Sequence, residues 1–190
     1  MPRWVLAMIR VNWLRDIWIT LAVLLGASFL LMAGVRWVQH RHAVAIEARL
    51  DALQPLLEKH AERTDLPIGF LRGIVRAESG GDPQAVSKKE ARGLMQIRAA
   101  AEQDALDRLD VARGDIFDPD YNILIGSTYL GLLRDRFGPR WPIVATAYHM
   151  GPTRMQKMMD QHPTLTDAQL IEMHINPTTR AYVRRVVVRH

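Results

Sequence analysis

Glu78 stands where residue types and spacing suit proton transfer, within Leu71 to Ile97, LRGIVRAESGGDPQAVSKKEARGLMQI. Phe70, Leu71, Ile74 and Val75 fall at the i, i+3, i+4 spacing of one helical face, and Glu78 continues that stripe. A carboxylate at the end of an apolar face loses water on one side, which raises its pKa above the roughly 4.3 of a free glutamate. Tuned upward, such a Glu stays protonated near neutral pH and serves as a general acid. Otherwise it is a helix-end acid that leans into solvent or pairs with an arginine. Gly80-Gly81 is expected to stop the helix and Asp82-Pro83 to turn the chain away. Thr64 or Asp65 is expected to cap its start, with Pro67 in the first turn.

Glu78-Ser79, Pro83, Ala85-Val86-Ser87 and Gly93-Leu94-Met95-Gln96 form an ordered motif. Three more follow: Asn122-Ile123, Gly126 and Tyr129-Leu130; Ala147-Tyr148-His149-Met150-Gly151; and Arg180, Tyr182 and Val183. In this order and with these gaps, the chain from about residue 55 onward resembles the lytic transglycosylases with a goose-lysozyme-like fold. Their catalytic domain is the soluble-transglycosylase domain. Two positions depart from the family pattern: His149 replaces the usual Asn after Tyr148, and Thr178 sits where some members carry a second Glu.

Glycoside hydrolysis usually needs two carboxylates, yet no second acid here has an obvious claim; Asp82 suits a turn or cap better. The resembling family works with a single Glu. The resemblance therefore implies that Glu78 protonates the oxygen between N-acetylmuramic acid and N-acetylglucosamine. Glu78 then takes the proton from the muramoyl C6 hydroxyl, which attacks C1 and closes a 1,6-anhydro ring. It further implies substrate contacts for Ser87, Gln96, Met95, Tyr148 and Tyr182. The alternatives drawn from the residues are a turn-stabilising Ser87 and core packing for Met95 and Tyr148. Gly93 would give the backbone room for a close approach.

Ala43 to Arg63 reads as a helix with Ile46, Leu50, Leu53, Leu56 and Leu57 on one side, a stalk or first helix over 43–60. Residues 64–79 form the helix ending at Glu78, 80–92 a polar connection, and Ala99–Leu109 a helix. Asn122 is placed to cap a helix over Ile123–Phe137 that Gly138 ends. Further helices follow from Pro142 to Gly151, over Met155–Met159, over Ala168–His174 behind Thr166 or Asp167, and over Thr178–Val188. Strand signals are weak throughout. The expectation is an all-α, lysozyme-like catalytic domain over 61–190 behind an N-terminal membrane segment.

That segment, residues 1–42, holds Ile17–Val35, 19 residues without a charge, long enough to span a bilayer at about 1.5 Å per residue, with a transmembrane helix expected at about 17–38. Trp4, Trp13, Trp18 and Trp37 bracket it as interfacial aromatics would. A single-pass inner-membrane anchor with a periplasmic domain is expected; a cleaved signal peptide is the alternative. Of the net charge of +5, residues 1–42 hold five arginines against Asp16, and the remainder is nearly balanced. The basic excess thus flanks the apolar run, favouring a membrane surface over nucleic acid. The C-terminal arginines belong to an amphipathic helix with Val183, Val186 and Val187.

The chain has no cysteine, and its seven histidines show no ligand spacing, so no metal or cofactor is expected. The expected partners are peptidoglycan glycan strands and the inner membrane, with any envelope-spanning machine left unidentified. A lysozyme-type hydrolase on the same site and a non-catalytic wall-binding or scaffold module remain the competing functions.

Overall fold

The computed structural model describes the backbone of residues 3–187 and the side chains of residue 13 and of 15–187; Trp4, Arg3, Arg10 and the expected helix end at Val188 lie outside the described side chains or residues. Contacts divide the chain into two units, residues 1–45 and 46–190. The first is helix throughout its described part. Within Arg15–Ala52 it is long and apolar enough to cross a membrane, and none of its most apolar window is buried. Trp18, Leu25, Phe29, Leu30 and Leu31 stand exposed, as lipid-facing residues would.

The second unit is helical among the described residues, apart from isolated bridges of Val86 and Ile97 with Arg92. The last turns of α1 (Arg3–Ala52) enter it, burying Leu50. There the expected helix over Ala43–Arg63 divides: α2 (Gln54–Thr64) begins after Leu53. Pro55, in the first turn of α2, has no N–H to bond back to α1, so the ladder breaks there.

Asp65 closes α2 and does not open α3 (Ile68–Glu78); it adopts the left-handed conformation, φ 51°, and its N–H bonds back to Ala61 and Glu62. Arg134 donates to the carbonyls of Thr64 and Asp65 at 2.7 and 2.9 Å, satisfying that helix end. Pro67 takes the N-cap position of α3 without a capping side chain. Phe70, Leu71, Ile74 and Val75 are all fully buried, so the apolar stripe faces the core as its spacing requires.

Helix α4 (Ala99–Leu109) has the expected bounds, and α5 (Pro119–Phe137) runs through the core against α2, α4 and α6 (Trp141–Met150). The expected cap at Asn122 is displaced by one turn. Asp118 caps α5, its carboxylate accepting from Tyr121 N–H, because Pro119 already starts the helix. Helices α7 (Pro152–Gln161) and α8 (Asp167–His174) follow, the latter closed by a Thr166–Gln169 capping box. The last, α9 (Pro177–Val187), lays Tyr182, Val183 and Val186 onto α3 and α6.

Gly73 sets how closely α9 approaches α3: a Cβ there would lie 2.7 Å from the Val186 carbonyl oxygen. Gly73→Ala gains about 1 kcal/mol of helix propensity but forces two backbones apart, which costs more. The expected net destabilisation is about 1–2 kcal/mol, read as a lower urea midpoint with an unchanged slope.

Candidate active site

Glu78 is the last residue of α3, so the apolar stripe that buries Ile74 and Val75 delivers its carboxyl to the edge of the core. Burial raises its pKa from 4.5 to about 7, against the opposing effects of the Tyr182 hydroxyl and the Arg185 charge. Among the described residues, no carboxylate is one of the groups acting on it. The Tyr182 hydroxyl lies against Glu78 closely enough to lower its pKa, yet without the geometry of a formed hydrogen bond, and this buried oxygen has no other partner. Tyr182 is 2% exposed, and burial beside Glu78 pushes its phenol well above the ordinary value.

Opposite Glu78 stands the segment after the polar connection, folded back on itself by paired hydrogen bonds between Arg92 and Ile97 at 3.0 and 2.9 Å. Three helices grip it. From the end of α3, the Ser79 hydroxyl donates to Leu94 O at 2.8 Å. From α5, the Asn122 amide accepts from Met95 N–H at 2.8 Å and donates to Arg92 O at 3.2 Å and Ile116 O at 2.7 Å. From α6, the Tyr148 hydroxyl donates to Met95 O at 2.6 Å. Gly93, φ 73°, has no room for a Cβ, which would meet the Asn122 amide and lie 2.8 Å from Ile116 O. The space expected there for a ligand is taken by Asn122.

The residues expected to touch substrate separate into three groups. Gln96 and Tyr148 line a cleft of about 680 Å³, together with His149, Thr178 and Tyr129. Gln96 holds φ 50° because its side-chain N–H groups donate to Ala85 O and Gly93 O, both at 3.1 Å, leaving its amide oxygen for a ligand. Met95 is fully buried, its sulfur where a Gly126 side chain would stand; it offers no surface to a ligand, and packing takes it out of the expected substrate set. Ser87 accepts from Lys89 N–H at 3.2 Å and Ala91 N–H at 3.1 Å, the turn-stabilising geometry, and lies off the cleft wall.

Glu78 and Tyr182 also lie off that wall, and the cleft reaches the acid through Tyr148 and His149. Tyr148 lines the cleft while its phenol is pushed up by burial and by the Glu78 charge. His149 stacks on Tyr182, ring centroids 4.3 Å apart and planes 22° apart. Water lost to that contact, with the charges of Arg185 and Lys89, holds its imidazole below the ordinary pKa. Ser79 and Asn122 are the organising residues that sequence reasoning missed. Asn122 had been read as a cap, and its polarity inside an otherwise apolar helical face was the available signal. Among the described residues no three His, Asp or Glu side chains converge as a metal site.

Fold and site together define an all-helical, lysozyme-like domain with one perturbed glutamate at the end of its third helix. Residues 55–171, more than half of the chain, match the family model of the transglycosylase SLT domain, and the chain belongs to that family. It is 28% identical over 141 residues to the soluble lytic murein transglycosylase of Escherichia coli, covering 72% of this chain and 22% of that one. It is 31% identical over 128 residues to the membrane-bound lytic murein transglycosylase C of Actinobacillus pleuropneumoniae, covering 60% of this chain and 35% of that one. The solved 70 kDa soluble lytic transglycosylase of E. coli matches 70% of this chain and 22% of its own, with TM-score 0.65 and 26% identity. An inactive Glu-to-Gln mutant of the Pseudomonas aeruginosa lytic transglycosylase Slt matches with TM-score 0.65 and 25% identity. The chain thus spans about a fifth of the length of the soluble relatives.

Two outcomes follow from the site's energetics. Asn122→Ala orphans a buried N–H and two carbonyls, so it should cost about 3 kcal/mol of unfolding free energy in urea titration. Glu78→Gln should change the pH dependence of stability. With the folded pKa raised, the unfolded chain ionises first, so the parent loses stability as pH rises from about 4.5 through about 7. At pH 8 the Gln variant should be the more stable by roughly 2–3 kcal/mol, and the advantage should vanish near pH 4.

Proposed function

We propose that this domain cleaves the β-1,4 bond between N-acetylmuramic acid and N-acetylglucosamine in peptidoglycan without consuming water, leaving 1,6-anhydromuramic ends. The observation that carries the reading is Glu78, buried at the end of α3 and its pKa raised to about 7, with no other carboxylate among the described residues acting on it. Half-protonated near neutral pH, Glu78 gives its proton to the glycosidic oxygen as the C1–O bond breaks, and becomes the carboxylate. The same carboxylate accepts the C6 hydroxyl proton as O6 bonds to C1, so proton and atoms balance and the acid is restored. A pKa far from working pH would favour one half of this cycle and block the other. The Pseudomonas relative is inactive as a Glu-to-Gln mutant, which supports an essential glutamate in such an enzyme.

Ser87, Gln96, Tyr148 and Tyr182 are the substrate-binding residues of this proposal. Gln96 offers its amide oxygen and Tyr148 its ring edge on the cleft wall, while the Tyr182 hydroxyl steadies the Glu78 anion between the two half-reactions. Ser87 keeps its hydroxyl proton for an acetamido oxygen, since both of its observed bonds are accepted ones. The apolar helix of Arg15–Ala52 supports placing the domain outside an inner membrane, at the wall, as a single-pass anchored protein.

Mass spectrometry of sugars released from purified peptidoglycan by the full chain in detergent tests the chemistry. Products ending in 1,6-anhydromuramic acid, lost in Glu78→Gln, are expected; reducing ends would mean a hydrolase, and bound but uncut strands a binding module. The kcat/KM profile should fall above pH about 7 as Glu78 ionises in the free enzyme. In Tyr182→Phe the alkaline limb should move upward, because the removed hydroxyl favours the anion; an unmoved limb would dissociate Tyr182 from the acid.

A further inference from the structure

The cleft wall carries four cations that no acid of the described residues pairs. Lys89, Arg92, Arg98 and Arg154 line it and are exposed. Among the described residues, no ion pair or side-chain hydrogen bond engages their charged groups. Several arginines elsewhere in the domain are matched: Arg72 and Arg76 meet Glu47, Arg140 meets Asp167, and Arg180 and Arg184 meet Glu172. Two acids share the cleft, and Glu102 is already engaged, by the Tyr121 hydroxyl at 3.0 Å and by Arg113 at 3.6 Å. That leaves Glu90 against four positive charges. Thr178, on the same wall, is neutral.

Like charges gathered in a cleft repel one another unless an anion is meant to join them. Ala99, Ala100 and Ala101, at the start of α4, open on the same cleft, and no side chain caps that helix, which adds potential of the same sign. The sugar backbone of a glycan strand is neutral and has no use for this charge. Its anionic parts are the stem peptides, which leave the lactyl group of each muramic residue and end in free carboxylates.

We propose that Lys89, Arg92, Arg98 and Arg154 read the carboxylates of the stem peptides, so that this domain selects strands whose peptides are anionic. The proposal rests on the peptidoglycan reading above. Arginine forks suit carboxylates, because each presents two parallel N–H donors. The contacts are solvent-exposed, so each contributes modestly and the preference is collective and screened by salt. The cations stand along the cleft that leads to Tyr148 and His149, so a seated peptide would hold its own muramic residue beside Glu78.

The test reads binding with the acid removed. The full-length Glu78→Gln chain in detergent micelles is co-sedimented with purified sacculi freed of bound polymers. The companion sample is the same sacculi after ammonia and carbodiimide have converted their free carboxylates to amides. About tenfold weaker binding to the amidated wall is expected, with the difference shrinking as salt rises. Adding Arg98→Gln and Arg154→Gln should weaken binding to untreated wall by several-fold and leave binding to amidated wall unchanged. Equal binding to both walls, equal loss on both, or binding to neither would overturn the proposal. Each variant is used only where its urea midpoint matches that of Glu78→Gln, so that a change in binding reports the cleft charges and not unfolding. Charge-selective binding by a parent chain that releases no anhydro sugars would refute the cleavage reading and leave this one intact.

Discussion

The buried Asn122 amide is the contact on which the rest of the site depends. It satisfies one backbone N–H and two carbonyls of segments that are otherwise irregular, at a depth where water does not reach. An unpaired polar group there would cost about 1–3 kcal/mol, so Gly93, Met95 and Ile116 are held to one arrangement. Ser79 and Tyr148 add their hydroxyls to the same segment from α3 and α6. Three helices distant in sequence thereby agree on where Gln96 stands relative to Glu78. The left-handed backbone at Gly93 and Gln96 is tolerable only because so many bonds fix it.

A second balance decides the chemistry. Burial alone would keep Glu78 neutral, while Tyr182 and Arg185 pull toward the anion, and the outcome near 7 lies between the two. Both opposing groups come from α9, which reaches α3 only because Gly73 lets Val186 approach. The acid strength of the site is therefore tied to the packing of the last helix. His149 adds to this by stacking on Tyr182, so the residue that departs from the family pattern bears on the tyrosine beside the acid.

The cleft extends the same logic beyond the reacting atoms. Tyr148 faces it with one side while its hydroxyl secures the clamped segment. Any ligand pressing on that ring presses on the frame that positions Gln96. Several arginines of the domain surface are paired across helices, chiefly from α1 to α3 and from α8 to α9, where they fix orientation. The unmatched charges of the cleft stand apart from this pattern.

The sequence by itself determined the helices and offered Glu78 as a candidate acid. The i, i+3, i+4 stripe from Phe70 to Val75, the turn at Gly80-Gly81, the bounds of α4 and the apolar run of residues 17–35 all depend on neighbours within a turn or two, where propensity and periodicity act. Glu78 ends the same stripe, but it was the ordered motifs around it, not its position, that set it apart from an ordinary helix-end acid. Local signals misled where a residue's decisive partner is far along the chain. Asn122 has the composition of a cap, yet its partners are Arg92, Met95 and Ile116, and Pro119 had already started the helix. Asp65 reads as an N-cap but ends the preceding helix, with Arg134 on its carbonyl. Met95 already reads as a core residue by its type, and Gly126 leaves the room that its side chain fills. Tertiary structure alone decided how strong the acid is, because burial and the Tyr182 and Arg185 groups of α9, more than a hundred residues along the chain, act together on one carboxyl.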